Sequence, residues 1–394
     1  MKILFLSRWF PYPPTNGSKL RIYNLLNVLS REHRVTLISF DDQPETPPDL
    51  KGLSGYCERV LAIPWKEYNP ESSAALRGFF SPAPRFVVDT FSPTMAAEIQ
   101  NAIAAQGFDI VIASQIEMAG YAPYFGDIPA IFDEVEIGVP LERYQQTKEI
   151  PARIRHGLTW LKHRQYLAHL LRRFPICTVA SEQERTLLIE TGIRKNAIKV
   201  VPNFLNLDDY PRIEPNIHPK RLNFTGSFRY RPNYEAMIWF LDTVFPQILA
   251  QAPNVELVIN GDHQDLPLPN EKNVIRTGFV EDIRPWVAAS TVSIAPLKTG
   301  GGTRLKILEA LALRVPVVST TKGAEGLDIR DGEHLLLADR PEDFAAAVLQ
   351  LLNKPQLRAK LSTQGYNLLE EKYSLKAVGA QYQRLLETVR PCTF

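Results

Sequence analysis

Short runs of Val, Ile, Leu and Phe alternate with longer amphipathic stretches along almost the whole chain, and few architectures accommodate that rhythm. A strand that is apolar at nearly every position has both faces covered, as in a parallel sheet flanked by helices. The spacing predicts strands at Ile3–Ser7, Arg34–Phe40, Val60–Ile63, Asp109–Ala113, Ala130–Asp133 and Cys177–Ala180, with helices near 18–31, 93–105, 151–173 and 182–191. At 202–220 the rhythm breaks into PNFLNLDDYPRIEPNIHPK, whose prolines, Asn and Asp read as a linker. It then restarts, with strands at Leu222–Thr225, Val255–Ile259, Val274–Thr277, Val292–Ala295 and Pro316–Ser319 and helices near 232–250, 282–289, 303–313 and 341–353. The class is α/β, divided into domains 1–205 and 206–373, and the last helical stretch, 374–390, is free to pack back on the first of them.

At 394 residues the chain is long enough for each domain to bury its own core. Its 45 Lys+Arg against 43 Asp+Glu leave a formal charge of +2, which gives no general attraction for nucleic acid; an anionic partner must be met locally. Cys57, Cys177 and Cys392 lie far apart and in no zinc-ligand spacing, so reduced thiols in a cytoplasmic protein are expected. The apolar stretch Ile3–Leu6 is shorter than a secretory core and reads as a strand. With no long uncharged apolar segment, any membrane would be met at its surface, on the inner face of the plasma membrane.

The most informative stretch is Thr299-Gly-Gly-Gly-Thr-Arg-Leu-Lys-Ile-Leu-Glu-Ala-Leu-Ala312. Three glycines fall where a strand turns into a helix, and bare backbone N–H groups at a helix N-terminus suit a phosphate. Arg304 and Lys306 put cations in the first turn, against the helix dipole, which an anion would offset. Glu309, one to two turns on, is placed to meet sugar or ribose hydroxyls. A glycine loop ahead of an ordinary amphipathic helix is the plainer alternative.

This stretch resembles the nucleotide-sugar motif of GT-B glycosyltransferases, most closely glycosyltransferase family 4. The likeness extends to Pro11 and Gly17 after the first strand, LNFTGSFRYRPNYEA at 222–236, Leu257-Val-Ile-Asn-Gly-Asp262, Gly278-Phe-Val-Glu-Asp282 and VPVVSTTKGAEGL at 315–327. The resemblance implies two Rossmann-like domains facing across a cleft, and transfer of a sugar from a nucleoside diphosphate, UDP or GDP, to a hydroxyl acceptor, with retention and without metal. It assigns ribose binding to Glu309, contact with the base to Val280, and approach of backbone to the donor to Gly17, Gly226, Ser227, Gly301, Gly302 and Thr303. The family's first motif Glu would fall at Gly301 and is absent. Its Arg and Lys after the first strand of the second domain are also missing, with Arg229 and Arg231 displaced, so Arg304 and Lys306, helped by Arg231, are expected to neutralise the leaving diphosphate.

Ile131-Phe-Asp-Glu-Val-Glu136 runs off a strand end, where α/β domains place functional groups. The resemblance puts Asp133 facing the acceptor, with Glu136 as a second carboxylate. Asp41-Asp42 reads as a solvated turn rather than a metal site. Between 150 and 181 there is no acid, while Arg153, Arg155, Lys162, Arg164, Arg172 and Arg173 accompany a helical apolar pattern. Such a helix either rests on anionic lipid or is a solvated face over a core. The loop Leu76–Arg85 also mixes aromatics with cations, and a lipid-linked acceptor or another glycan fits both. The expected setting is cell-surface polysaccharide or glycolipid synthesis; a nucleotide-sugar epimerase of the same fold and a non-catalytic nucleotide-sugar binder are the alternatives.

Overall fold

Continuous apolar runs become the central strands of two parallel sheets in the computed structural model, which describes residues 1–43, 46–192, 194–211, 218–269, 272–302 and 304–389. The chain forms two compact units, Met1–Asn203 together with the segment from Val378, and Phe204–Ala377.

In the first unit the strands are β1 (Lys2–Ser7), β2 (Arg34–Asp41), β3 (Arg59–Pro64), β4 (Ile110–Ser114), β5 (Ala130–Asp133), β6 (Ile176–Val179) and β7 (Ile198–Val200). They pair in the order β3-β2-β1-β4-β5-β6-β7, all parallel. The order reverses direction between β1 and β4, and the carboxyl edge there is where open α/β sheets hold ligands. Ile3, Leu4, Phe5 and Leu6 are fully buried, as expected for a central strand covered on both faces. Asn16 caps the first helix, Gly17–Ser30, by accepting from the Lys19 N–H at 3.0 Å. Ser92 and Ser181 do the same for Pro93–Ala105 and Glu182–Ile189. The later turns of the last helix, Leu375–Val389, join this unit: Tyr382 is fully buried and Gln381 donates to the Val200 carbonyl.

In the second unit β8 (Arg221–Thr225), β9 (Glu256–Asn260), β10 (Val274–Gly278), β11 (Val292–Ala295), β12 (Val317–Ser319) and β13 (Leu336–Leu337) pair in the order β10-β9-β8-β11-β12-β13, again parallel. Phe224, Leu257, Ile259 and Ile294 pack with Phe240, Phe245 and Phe344 in its core. Two expectations change. The helix expected over 232–250 is three pieces, Arg231–Trp239, a π turn Phe240–Val244, and Phe245–Gln251, with Pro246 unable to continue an α ladder. The helix expected at 303–313 starts at Leu305, with Arg304 as its cap residue, and Thr303 lies outside the described residues. The 18-residue helix Pro355–Lys372, whose polar sequence hides its period, had no counterpart in the sequence reading.

Candidate functional site

The glycine turn leaves the carboxyl end of β11 and enters the helix Leu305–Ala312. Gly300 and Gly302 sit at φ of 92° and 82°, the left-handed region that glycine enters without strain. A Cβ on Gly300 would collide with the Tyr230 hydroxyl and the Pro232 ring. Around Gly302 a Cβ would meet nothing within 4 Å, so that corner of the turn is open. Tyr230 donates its hydroxyl to the Gly301 carbonyl at 3.2 Å.

Arg304 is 4% exposed and turned onto the loop. Its guanidinium donates to the carbonyls of Gly300, Gly301 and Lys322 and stands 3.7 Å from the Glu325 carboxylate. Arg304 was expected to meet a diphosphate; in the structure its two terminal nitrogens are taken by the backbone, and it shapes the turn from behind.

Lys306 is a cation of the site whose acid neighbour is Glu309, one turn on. Its ammonium donates to Asn233 Oδ1 at 2.7 Å and lies 4.1 Å from the centre of the Phe224 ring. Burial, and then the neighbouring Arg304 charge, lower its pKa to about 7. Asn233 in turn donates Nδ2 to the Ser227 carbonyl at 2.8 Å, joining the helix to the turn after β8. At that turn Gly226 has no room for a Cβ against the Asn233 amide, and Gly261, at φ 138°, approaches the Gly226 carbonyl. Gly226, Ser227, Gly301, Gly302 and Lys306 are thus gathered at the carboxyl edge of β8 and β11.

Glu309 lies one turn beyond Lys306. Burial pushes its carboxyl up to about 7, opposed by the Tyr210 hydroxyl, which donates to Oε1 at 3.2 Å, and by Lys306. Tyr210 and Asn233 escaped the sequence reading. Tyr210 was a linker residue with no motif around it, and Asn233 lay within the matched stretch 222–236 without an assigned role.

Other expected residues fall elsewhere. Arg231 is an exposed side chain paired with Glu235 at 2.7 Å, and the same carboxylate accepts from Thr299 Oγ1 at 3.2 Å, so it reaches the start of the turn only through Glu235. Val280 is half-buried just beyond the end of β10, where Gly278 accepts from the Gly261 N–H at 2.9 Å. Gly17 opens its helix in the first unit. Asp133, also in the first unit, is fully buried: its oxygens take Arg21 Nε and Nη2 at 3.1 and 2.9 Å, with Thr178 Oγ1 at 2.6 Å. Arg21 donates further to Val201 O, Pro202 O and Asn203 Oδ1. Expected to face the acceptor, the carboxylate is in this structure paired with an internal cation. Glu136 is exposed. Among the described residues no three His, Cys, Asp or Glu side chains come together as a metal-ligand group.

Two family models match the chain: Glycosyltransferase Family 4 over residues 15–209 and Glycosyl transferases group 1 over 219–354. Among curated proteins, a 44.6 kDa protein of the cps region of Klebsiella pneumoniae is 25% identical over 174 residues, 41% of this chain and 45% of that protein. The lipopolysaccharide core biosynthesis glycosyltransferase LpsE of Rhizobium meliloti is 27% identical over 207 residues, 49% of this chain and 58% of that protein. The chain thus spans about half the length of the curated relatives it matches. The structure of Anabaena HepE in complex with UDP superposes with a TM-score of 0.72 over 98% of this chain and 100% of that one, at 16% identity. That likeness gives the fold, GT-B.

Proposed function

Because the chain belongs to the glycosyltransferases that these two family models describe, we propose that it moves a sugar from a nucleoside diphosphate held in the second unit to a hydroxyl acceptor. The observation that carries this reading is the Lys306–Asn233–Ser227 link, which sets a buried ammonium, hydrogen-bonded to a neutral amide, beside a glycine turn at a sheet's carboxyl edge. Breaking the bond between the anomeric carbon and the diphosphate loads charge onto the departing phosphate as the sugar turns oxocarbenium-like. A cation with a neutral amide for its partner stabilises that charge. In this reading Glu309 and Tyr210 take the ribose, Val280 the base, and Gly226, Ser227, Gly301 and Gly302 let backbone approach the phosphates. Arg304 holds the turn.

The donor is a UDP- or GDP-sugar, in line with the UDP bound by HepE. Transfer proceeds with retention and needs no metal, and the product enters surface polysaccharide or glycolipid, as the names of the curated relatives suggest. A thermal-shift screen of UDP, GDP, ADP, TDP and their sugars tests the reading, because a ligand of the folded state raises its melting temperature. A shift with one nucleotide series, lost in Lys306→Met, supports it; no shift with any removes it.

A membrane-associated setting is part of the proposal. No described helix is long and apolar enough to cross a bilayer. The helix Ile150–Leu170, however, exposes Ile150, Ile154, Leu158 and Leu161, between 47 and 73% accessible, along one stripe. Lys162 donates to the carbonyls of Gly78 and Phe79, tying that stripe to the exposed Phe79 and Phe80. Apolar side chains ringed by Arg153, Arg155, Lys162 and Arg164 match an anionic lipid surface. Flotation with phosphatidylglycerol vesicles, absent with phosphatidylcholine vesicles and lost in Phe80→Ser with Leu158→Gln, is the expected result. Equal flotation of the variant would refute it.

A further inference from the structure

Tyr230 stands at the start of the helix Arg231–Trp239, in the capping position where Ser, Thr, Asp or Asn ordinarily satisfy the first N–H groups, and its side chain makes no capping bond. The core does not claim it either. Two residues earlier Phe228 is buried against the rings of Tyr234 and His263, whereas Tyr230 is 42% exposed. A side chain that serves neither capping nor packing is the kind of local exception that functional sites carry.

Its place is nonetheless fixed. The hydroxyl donates to the Gly301 carbonyl at 3.2 Å, and the phenol fills the space that a Cβ on Gly300 would need, with the Pro232 ring beside it. The backbone ties it to the ammonium of the site: the Asn233 N–H donates to the Tyr230 carbonyl at 2.9 Å, and Asn233 Oδ1 accepts from Lys306. Glu309, Lys306, Asn233 and Tyr230 therefore succeed one another from the helix Leu305–Ala312 to the wall of the glycine turn. A nucleoside diphosphate laid along that line, with its ribose at Glu309 and its phosphates at Lys306, brings the sugar beyond the second phosphate to the exposed ring.

The chemistry of the ring selects what it recognises. A phenol presents a broad apolar face with negative charge density at its centre, which C–H groups bearing slight positive charge match. A pyranose in its chair form gathers such C–H groups on one face. The Tyr230 hydroxyl, while donating to Gly301, keeps lone pairs that accept from a sugar hydroxyl. The cations nearest in sequence and across the turn are already matched: Arg229 pairs with Asp262 at 2.9 Å, Arg231 with Glu235 at 2.7 Å, and Arg304 holds carbonyls of the turn. A carboxylate on the sugar would find no counter-charge among them.

We propose that Tyr230 is a specificity-determining residue for the donor, a platform on which an uncharged pyranose ring of the nucleotide sugar stacks beside the glycine turn. This rests on the transferase reading above and deepens it, assigning the sugar, as distinct from the nucleotide, to one named side chain.

The test is calorimetry on the full chain, comparing UDP with UDP-glucose, UDP-galactose and UDP-N-acetylglucosamine, and GDP with GDP-mannose, with UDP-glucuronate as the charged probe. The quantity read is the ratio of sugar-nucleotide affinity to nucleotide affinity, in which a disturbance of the turn itself cancels. Tyr230→Ala is expected to lower that ratio about fivefold or more for at least one uncharged donor. Tyr230→Phe keeps the ring and should hold the ratio within about twofold, and nucleotide binding by both variants reports an intact site. A ratio unmoved by Tyr230→Ala, whether both affinities fall together or neither does, overturns the proposal. So does a loss in Tyr230→Phe as large as in Tyr230→Ala, which would assign recognition to the hydroxyl, or binding of UDP-glucuronate in preference to every uncharged donor. If the parent binds no nucleotide, the donor reading falls and this proposal with it; if nucleotides bind and the ratio does not respond, this proposal alone falls.

Discussion

Asp133→Ala separates an anchoring carboxylate from one that faces substrate. In the structure Asp133 and Arg21 have fully buried side chains joined by two hydrogen bonds. Deleting the carboxylate leaves the guanidinium buried without the acid it is hydrogen-bonded to, Glu134 acting on it only through space, and leaves Thr178 and Tyr382 without their acceptor. Breaking a buried pair from one side costs about 3–5 kcal/mol. For a unit of this size each kcal/mol moves the melting temperature by roughly 2–4 °C, so a fall of about 6–20 °C is expected. Trp9, Trp65 and Trp160 lie in the first unit and report its unfolding by fluorescence, while hydrogen exchange in peptides spanning 130–140 and 376–389 localises the loss. Replacing both partners, Arg21→Met with Asp133→Leu, should recover most of the stability, since the uncompensated charge is gone. An Asp133→Ala protein that melts within about 2 °C of the parent yet transfers no sugar would refute the anchoring role.

Further outcomes follow from the second unit. Lys306, lowered to about 7, loses its charge as pH rises, while Glu309, raised to about 7, gains one; both changes disfavour a diphosphate. Nucleoside diphosphate affinity measured by calorimetry should therefore fall about tenfold between pH of about 6 and about 8, with proton uptake on binding, and Lys306→Met should flatten much of that slope. Gly300→Ala forces a Cβ into Tyr230 and Pro232 at a positive φ and should weaken nucleotide binding at least about tenfold by titration, whereas Gly300→Asn, better suited to that φ, should be no kinder because the clash remains. Tyr210→Phe removes the donor to Glu309 and should weaken a nucleoside diphosphate about three- to tenfold while leaving free pyrophosphate binding unchanged. EDTA treatment should leave transfer rates unchanged within error in a coupled nucleotide-release assay; loss restored by added Mg²⁺ or Mn²⁺ would show that a metal takes part.

The α/β class and most central strands were legible because burial on both faces writes itself as an unbroken apolar run, as at Ile3–Leu6. The glycine turn was legible for a related reason: glycine at successive positions between strand and helix has few other uses. Side-chain commitments were not. Arg304 and Arg231 look alike in sequence as cations near a motif, yet one grips carbonyls of its own loop and the other pairs with an exposed Glu four residues on. Asp133 draws its partner from a position 112 residues earlier, a separation that no local pattern encodes. No local pattern in a sequence announces the left-handed backbone that Glu134, one residue further, adopts. Tyr210 sat in a segment whose prolines and aspartates marked it only as a connection.

The last helix has a consequence for biosynthesis. Its Tyr382 fills the centre of the first unit, against the carboxylate that holds Arg21, yet the ribosome delivers it only after the whole of the second unit has emerged. The second unit is contiguous and has its sequence complete first. The unit translated first is therefore the one completed last, so released chains ending near residue 377 should carry a protease-resistant second unit beside an unfinished first one.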